Sequence, residues 1–149
     1  MARAKGFNKE SVYEFYDKVE MLIEKHKLNA EHMHNMDESG ITTVQRPGRV
    51  IGKRGKKQIG SLTSGERGFI TTEVCSMSAA GRFAPPMIFF KRQRMVSSFK
   101  QGAPPGSIVE NNDTGWMNKE LFLVWLKHFV SNAGCTESKP VLLILDGGH

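Results

Sequence analysis

The stretch PVLLILDGGH, residues 140–149, decides the fold. An apolar, β-compatible run at residues 141–145 leads directly into Asp146 and two glycines. A near-continuous apolar run that follows a helix is typical of a strand covered on both faces. We therefore predict a central strand that delivers a carboxylate to a turn. Because such a strand needs neighbours, we expect the chain to be part of something longer.

Composition indicates one domain with a hydrophobic core. The chain has 149 residues, 39% of them hydrophobic, and none of its apolar runs approaches the roughly 20 residues that span a bilayer. The N-terminus does not resemble a secretory signal. The net charge of +6 favours a polyanionic partner, nucleic acid before a membrane surface, although ordinary solubility explains it too.

The order of predicted elements is helix, strand, hairpin, short strand, helix, strand. An amphipathic helix at about residues 9–27 is expected to lie on a core, and HMHNM (32–36) reads as a short strand that DESG ends. GFITTEVCSMS and GRFAPPMIFF read as two strands around the turn AAG, and Ser107 begins a short strand. A helix after Asn118 is expected to be buried on most sides. This order predicts an α/β fold, a mixed sheet with flanking helices.

Asp37 and Asp146 each follow a predicted strand. If these strands are neighbours, the two carboxylates converge and repel unless a cation lies between them. Mg²⁺ prefers oxygen ligands and keeps water and substrate phosphate in its shell. The alternative is that each aspartate only forms a turn or caps a helix, which is the commoner role after a strand.

A glycine-rich basic segment at residues 45–60 carries positive charges without an acid among them. It is either a phosphate-binding loop or a solvated surface loop, and KRGKK within it also resembles a weak nuclear-import signal. Its basic residues are Arg46, Arg49, Lys53, Arg54, Lys56 and Lys57.

Other chemistry-bearing residues receive structural interpretations. Cys75 and Cys135 lie in no metal-binding motif and are expected to be buried or half-buried thiols in a reducing compartment. His32 and His34 lack a third zinc ligand, so surface or packing roles are expected. The two tryptophans, Trp116 and Trp125, are expected in the core rather than on a base-stacking surface.

Five strings together resemble the catalytic domain of DDE-superfamily transposases of pogo/Tigger/jerky type, in the same order. They are NMDESG, GSLTSGERG, AAGRFAPPMIFFKR, GAPPGSIVENNDTGWMNKELFLVWLKHF and PVLLILDGGH. The resemblance covers almost the whole chain. Two departures stand out: the family's third carboxylate comes further along than this sequence extends, and Gly148 occupies the place where the family usually has a histidine, with His149 after it.

The resemblance implies an RNase H-like mixed central sheet, incomplete at its C-terminus, with the two aspartates on adjacent strands. It implies Asp37 and Asp146 as catalytic, metal-binding carboxylates, Mg²⁺ or Mn²⁺ as cofactor, and DNA nicking and strand transfer as the reaction. Residues 1–149 would then form a partial catalytic domain, with a core from about residue 32 to the chain end.

We accordingly expect a nucleic-acid-binding part of a metal-dependent transposase that is inactive as 149 residues alone. DNA is the expected partner and the nucleus the expected location; no membrane partner is expected, and a homo-oligomer of the intact protein stays open. The alternative is a non-catalytic DNA-binding remnant or a domesticated transposon-derived protein.

Overall fold

The computed structural model describes residues 8–42, Gly55 and residues 70–146. Within these residues, two α-helices and five β-strands follow one another, with 3₁₀ turns at Ala30–His32 and Ser97–Lys100. In chain order the elements are α1 (Lys9–His26), β1 (Met33–Thr42), β2 (Ile70–Ser78), β3 (Phe83–Lys91), β4 (Ile108–Asn112), α2 (Lys119–Ala133) and β5 (Leu142–Leu145).

The five strands form one mixed sheet in the order β4-β3-β2-β1-β5. The pairs β1–β2 and β2–β3 are antiparallel, whereas β3–β4 and β1–β5 are parallel. As a result β1, β3, β4 and β5 all run in one direction and end towards the same side of the sheet. The predicted α/β architecture, consistent with an RNase H-like fold, is confirmed.

Strand β1 is longer than the sequence indicates. The residues DESG were expected to end it, yet Asp37 lies in its middle and the strand continues to Thr42. Its second half pairs with β2, with Glu38 opposite Val74 and Gly40 opposite Thr72. Backbone hydrogen bonds to a long neighbour therefore override the local turn preference of these residues. The prediction that Asp37 ends a strand is wrong.

The predicted hairpin is confirmed as β2 and β3, which pair antiparallel. The pairing register shifts between Val74 and Ser76, opposite Pro85 and Pro86. Proline has no N–H to donate, so an irregularity at this point is the expected accommodation. Pairing between β3 and β4 begins only at Met87, just after the prolines.

Helix α2 packs its apolar stripe on the sheet. Asn118 caps its N-terminus by accepting a hydrogen bond from the Leu121 amide at 2.8 Å. Trp125, 2% exposed, stacks on Phe129 with 5.3 Å between ring centroids. A buried ring of this size contributes about 3–5 kcal/mol relative to alanine. The core consists of Met36, Val74, Met87, Phe89, Leu121, Trp125 and Phe129.

Two burial predictions are wrong. Leu123, Val124 and Val130 are exposed on α2, because only one face of this helix contacts the sheet. Strand β5 has β1 as its one described neighbour, and its side chains are half-buried or, at Leu145, exposed. It is an edge strand of the described sheet rather than a central one.

Helix α1 matches its predicted span and begins after Asn8, whose side chain caps it by accepting a hydrogen bond from the Ser11 amide. It was expected to lie on the core, but none of its residues is buried. Large apolar side chains on it, including Tyr13, Tyr16 and Met21, are more than half exposed. Amphipathic spacing predicts a face that favours burial, but it does not identify what covers that face.

Candidate active site

The two predicted catalytic aspartates lie on neighbouring strands. The parallel pairing of β1 and β5 ends with Met36 opposite Leu145, so Asp37 and Asp146 occupy the next position on each strand. Neighbouring strands lie about 4.8 Å apart in a sheet. The fold therefore places the two residues at matching positions on neighbouring segments of the chain, with Asp146 just past the end of β5.

Both aspartates are accessible from solvent. One side-chain oxygen of Asp37, Oδ1, accepts a hydrogen bond from the Glu38 amide at 2.8 Å, which orients this carboxylate locally. Asp146 follows the last residue of β5 and lines a groove beside the sheet. Exposed carboxylates at this position can meet a large polyanionic substrate without a change in the core.

Glu38 follows Asp37, projects from the opposite face of β1 and is half-buried. Burial raises the pKa of its carboxyl, and the charges of Asp146 and Asp37 raise it further, while a hydrogen bond from the Met117 backbone lowers it. Glu38 therefore takes up a proton more readily than a free glutamate. Asp146, after β5, therefore lies close enough to Glu38, in the middle of β1, for its charge to raise the pKa of that carboxyl.

A groove of about 500 Å³ adjoins these residues. It runs between the middle of β1, the end of β5 and the start of α2. Its lining consists of Met36, Glu38, Trp116, Met117, Asn118, Lys119, Phe122, Leu145 and Asp146.

Trp116 is the groove residue that sequence reasoning placed wrongly. It was expected in the core with Trp125, but it is 60% exposed. The turn-rich string NNDTG directly before it is the signal that could have indicated a surface position.

The remaining candidates are placed as packing residues. His34 is buried, with its ring 5.2 Å from that of Phe129 and its Nε2 3.1 Å from the Glu31 carbonyl. His32 lies in the 3₁₀ turn before β1. Cys75 and Cys135 are half-buried free thiols.

The described donors fit a magnesium-type ion better than a zinc-type one. Within residues 8–42 and 70–146, no three His, Cys, Asp or Glu side chains cluster as a ready-made metal cage. Mg²⁺ is usually bound by one or two carboxylates and otherwise by water and substrate phosphate. Asp37 and Asp146 are the two carboxylates predicted for such a role.

The basic segment cannot be related to this geometry. Arg46, Arg49, Lys53, Arg54, Lys56 and Lys57 all lie outside the described residues. Their assignment to DNA binding therefore stays a prediction from sequence.

Comparison with known proteins identifies the family of the chain. The sequence profile described as DDE superfamily endonuclease matches residues 68–149, more than half of the chain. The chain belongs to this family. The matched region includes Asp146 but not Asp37, so the partnership of the two aspartates rests on the β1–β5 pairing. Membership of the pogo/Tigger type stays a prediction.

One curated protein is similar over a larger part of the chain. It is named MFS-type transporter clz9, from Cochliobolus lunatus, and is 26% identical over 132 residues. The match covers 83% of this chain but only 14% of that protein. In the described part of this DDE-family chain, no helix is long and apolar enough to cross a membrane. No solved structure matches the chain.

Proposed function

We propose that this chain is the part of a metal-dependent, transposase-type DNA nuclease in which Asp37 and Asp146 bind one divalent cation. The observation that supports the proposal is the parallel register of β1 and β5, whose last pair, Met36 and Leu145, immediately precedes Asp37 and Asp146. Membership of the DDE endonuclease family supports the same assignment.

The two aspartates would hold Mg²⁺ or Mn²⁺, which supplies polarisation of a phosphate oxygen and neutralises charge developed there. The Glu38 amide holds one carboxylate oxygen of Asp37, and Asp146 directly follows β5. Glu38 receives no metal role, because it projects from the other face of β1 and its carboxyl pKa is raised. Its readiness to take up a proton limits repulsion among the three acids.

DNA is the proposed substrate, and the basic residues of segment 45–60 are the proposed phosphate contacts. A net charge of +6 supports attraction to a polyanion. Each phosphate neutralised would contribute about −0.9 to the slope of log affinity against log salt concentration. A DNA substrate also makes the nucleus the proposed location.

Binding is a more direct test of this proposal than turnover, because the proposed role of the two aspartates is to bind the cation. We would measure the affinity of the chain for a short DNA duplex with and without Mg²⁺, at several salt concentrations.

The account predicts that Mg²⁺ increases the affinity for DNA, because the ion bridges carboxylate and phosphate. Asp37→Asn or Asp146→Asn should abolish this Mg²⁺-dependent increment in affinity. Without Mg²⁺ both variants should bind at least as tightly as wild type, since each loses a negative charge. Asp113→Asn, at an exposed aspartate in the turn after β4, is the matched control and should keep the increment.

Neutralising Lys53, Arg54, Lys56 and Lys57 together should weaken binding in both conditions and flatten the salt slope. Salt-sensitive binding that shows no Mg²⁺ increment in wild type would reject the nuclease assignment. It would favour the alternative of a non-catalytic DNA-binding remnant.

A further inference from the structure

Trp116 presents an indole to solvent in the groove that the candidate metal ligand Asp146 also lines. Tryptophan is usually buried over most of its surface, as Trp125 is. Trp116 is instead 60% exposed and lines the same groove as Glu38 and Asp146. A large flat apolar ring at this position requires an explanation that core packing does not give.

The turn that carries Trp116 is fixed by hydrogen bonds at several points. The Asn112 side chain donates to the Trp116 carbonyl at 2.6 Å and accepts from the Gly115 amide at 2.6 Å. The buried Thr72 hydroxyl on β2 donates to the Gly115 carbonyl at 2.7 Å. The backbone beneath the indole is therefore tied both to β4 and to the middle of the sheet.

Gly115 adds a steric requirement to this turn. Its φ of +76° is a conformation that other residues rarely adopt, and a Cβ there would lie 2.9 Å from the Lys91 Cβ. The backbone next to Trp116 is thus specified by glycine as well as by hydrogen bonds. A surface that is ordered before binding loses less entropy when a ligand arrives.

Positive charges accompany the indole. Lys119 lines the groove, and the Cβ of Lys91 lies beside Gly115, the residue before Trp116. An aromatic face combined with nearby cations is the arrangement that binds single-stranded nucleic acid, where bases stack and phosphates are neutralised. The groove volume of about 500 Å³ is within the usual range for sites that hold a small organic group.

We propose that Trp116 stacks on an unpaired base of the DNA strand whose phosphate is bound at Asp37 and Asp146. This inference rests on the proposed function, since the cation held by the carboxylates would bind the strand next to the groove. Paired bases in a duplex do not expose a face to an indole, so the contact selects a melted or frayed segment next to the reacting phosphate.

The test compares two single-stranded 12-mers, one with bases and one abasic throughout, so that stacking is separated from phosphate binding. Trp116→Ala should bind the base-containing 12-mer about tenfold more weakly than wild type, an effect within the range of base–aromatic stacking. Its affinity for the abasic 12-mer should be unchanged. Trp116→Phe keeps an aromatic face and should recover most of the lost affinity.

A second readout needs no variant. Because Trp125 is buried, DNA-dependent quenching of tryptophan fluorescence reports mainly on Trp116, and only the base-containing 12-mer should produce it. Phe83→Ala, at a 72% exposed ring outside the groove, is the matched control and should leave both affinities unchanged. Thermal melts should show that every variant is folded.

The outcomes separate the two proposals. If wild type and Trp116→Ala bind both 12-mers equally, stacking is rejected while DNA binding stands. Equal losses of affinity for both 12-mers in Trp116→Ala would also reject stacking, because the abasic strand offers no base. If wild type binds neither 12-mer and shows no Mg²⁺ increment with duplex, the proposed function fails and this inference fails with it.

Discussion

Single residues acquire their roles here from where the sheet places them. Asp37 and Glu38 are adjacent in sequence, yet they project from opposite faces of β1, one exposed and one half-buried. His34, on the buried side, lies against Phe129 of α2. The same alternation that makes Asp37 available to a cation thus places His34 where its charged form is disfavoured.

His34 predicts a pH dependence of stability. Burial lowers its pKa, a further lowering comes from nearby His32, and the hydrogen bond to the Glu31 carbonyl partly opposes both. The folded-state pKa is therefore below the unfolded value of about 6.5. Between these two values the unfolded chain binds more protons, so the free energy of unfolding should decrease as the pH falls below about 6.5.

Urea unfolding at a series of pH values measures this effect. His34→Gln keeps a hydrogen-bond donor that does not titrate. In this variant the free energy of unfolding should decrease less as the pH falls below ~6.5. His32→Gln, in the preceding 3₁₀ turn, is the control and should retain most of it. If His34→Gln leaves the pH profile unchanged, the proton uptake belongs to another group.

At the scale of elements, the connection from β4 to α2 links the sheet to the candidate site. It crosses to Thr72 on β2, whose hydroxyl donates to the Gly115 carbonyl. It then reaches β1, where the Met117 backbone bonds to Glu38. This short segment therefore fixes both the start of α2 and one wall of the groove.

Thr72→Val should destabilise the fold through this connection. Valine keeps the shape of threonine but lacks the hydroxyl, so the buried Gly115 carbonyl loses its hydrogen-bond donor. We expect the free energy of unfolding to fall by about 1–3 kcal/mol. Thr71→Val, one residue earlier on the other side of β2, should have a much smaller effect in the same urea titration. Equal losses in the two variants would show that the hydroxyl bond to Gly115 is not the cause.

Sequence patterns predicted which helices and strands form better than they predicted what surrounds each of them. The cap at Asn118, the stripe through Trp125 and the β2–β3 hairpin are local signals, and the structure confirms them. The length of β1 depended on pairing with β2, which is distant in sequence. The exposure of Trp116 depends on the path of the connection across the sheet; the turn-rich string before it indicates a surface turn but does not specify that path.

At the scale of the whole molecule, the sheet brings together residues more than a hundred positions apart. Asp37 and Asp146 were singled out from their strings and from family resemblance, and their neighbouring placement follows from the parallel pairing of β1 and β5. The burial of β5 and α1 was overestimated. An apolar pattern indicates that a face favours burial, but it does not identify the element that buries it. What covers the apolar residues of α1 cannot be read from their spacing.

The central claim is that positions 37 and 146 bind one shared cation. Titrating Mn²⁺ into the ¹⁵N-labelled chain tests it most directly, because the paramagnetic ion broadens the amide signals nearest to it. The account predicts that amides around Asp37 and around Asp146 broaden together with one midpoint, and that Asp37→Asn or Asp146→Asn alone removes both effects. Separate midpoints, or broadening at one aspartate that persists after the other is replaced, would contradict it.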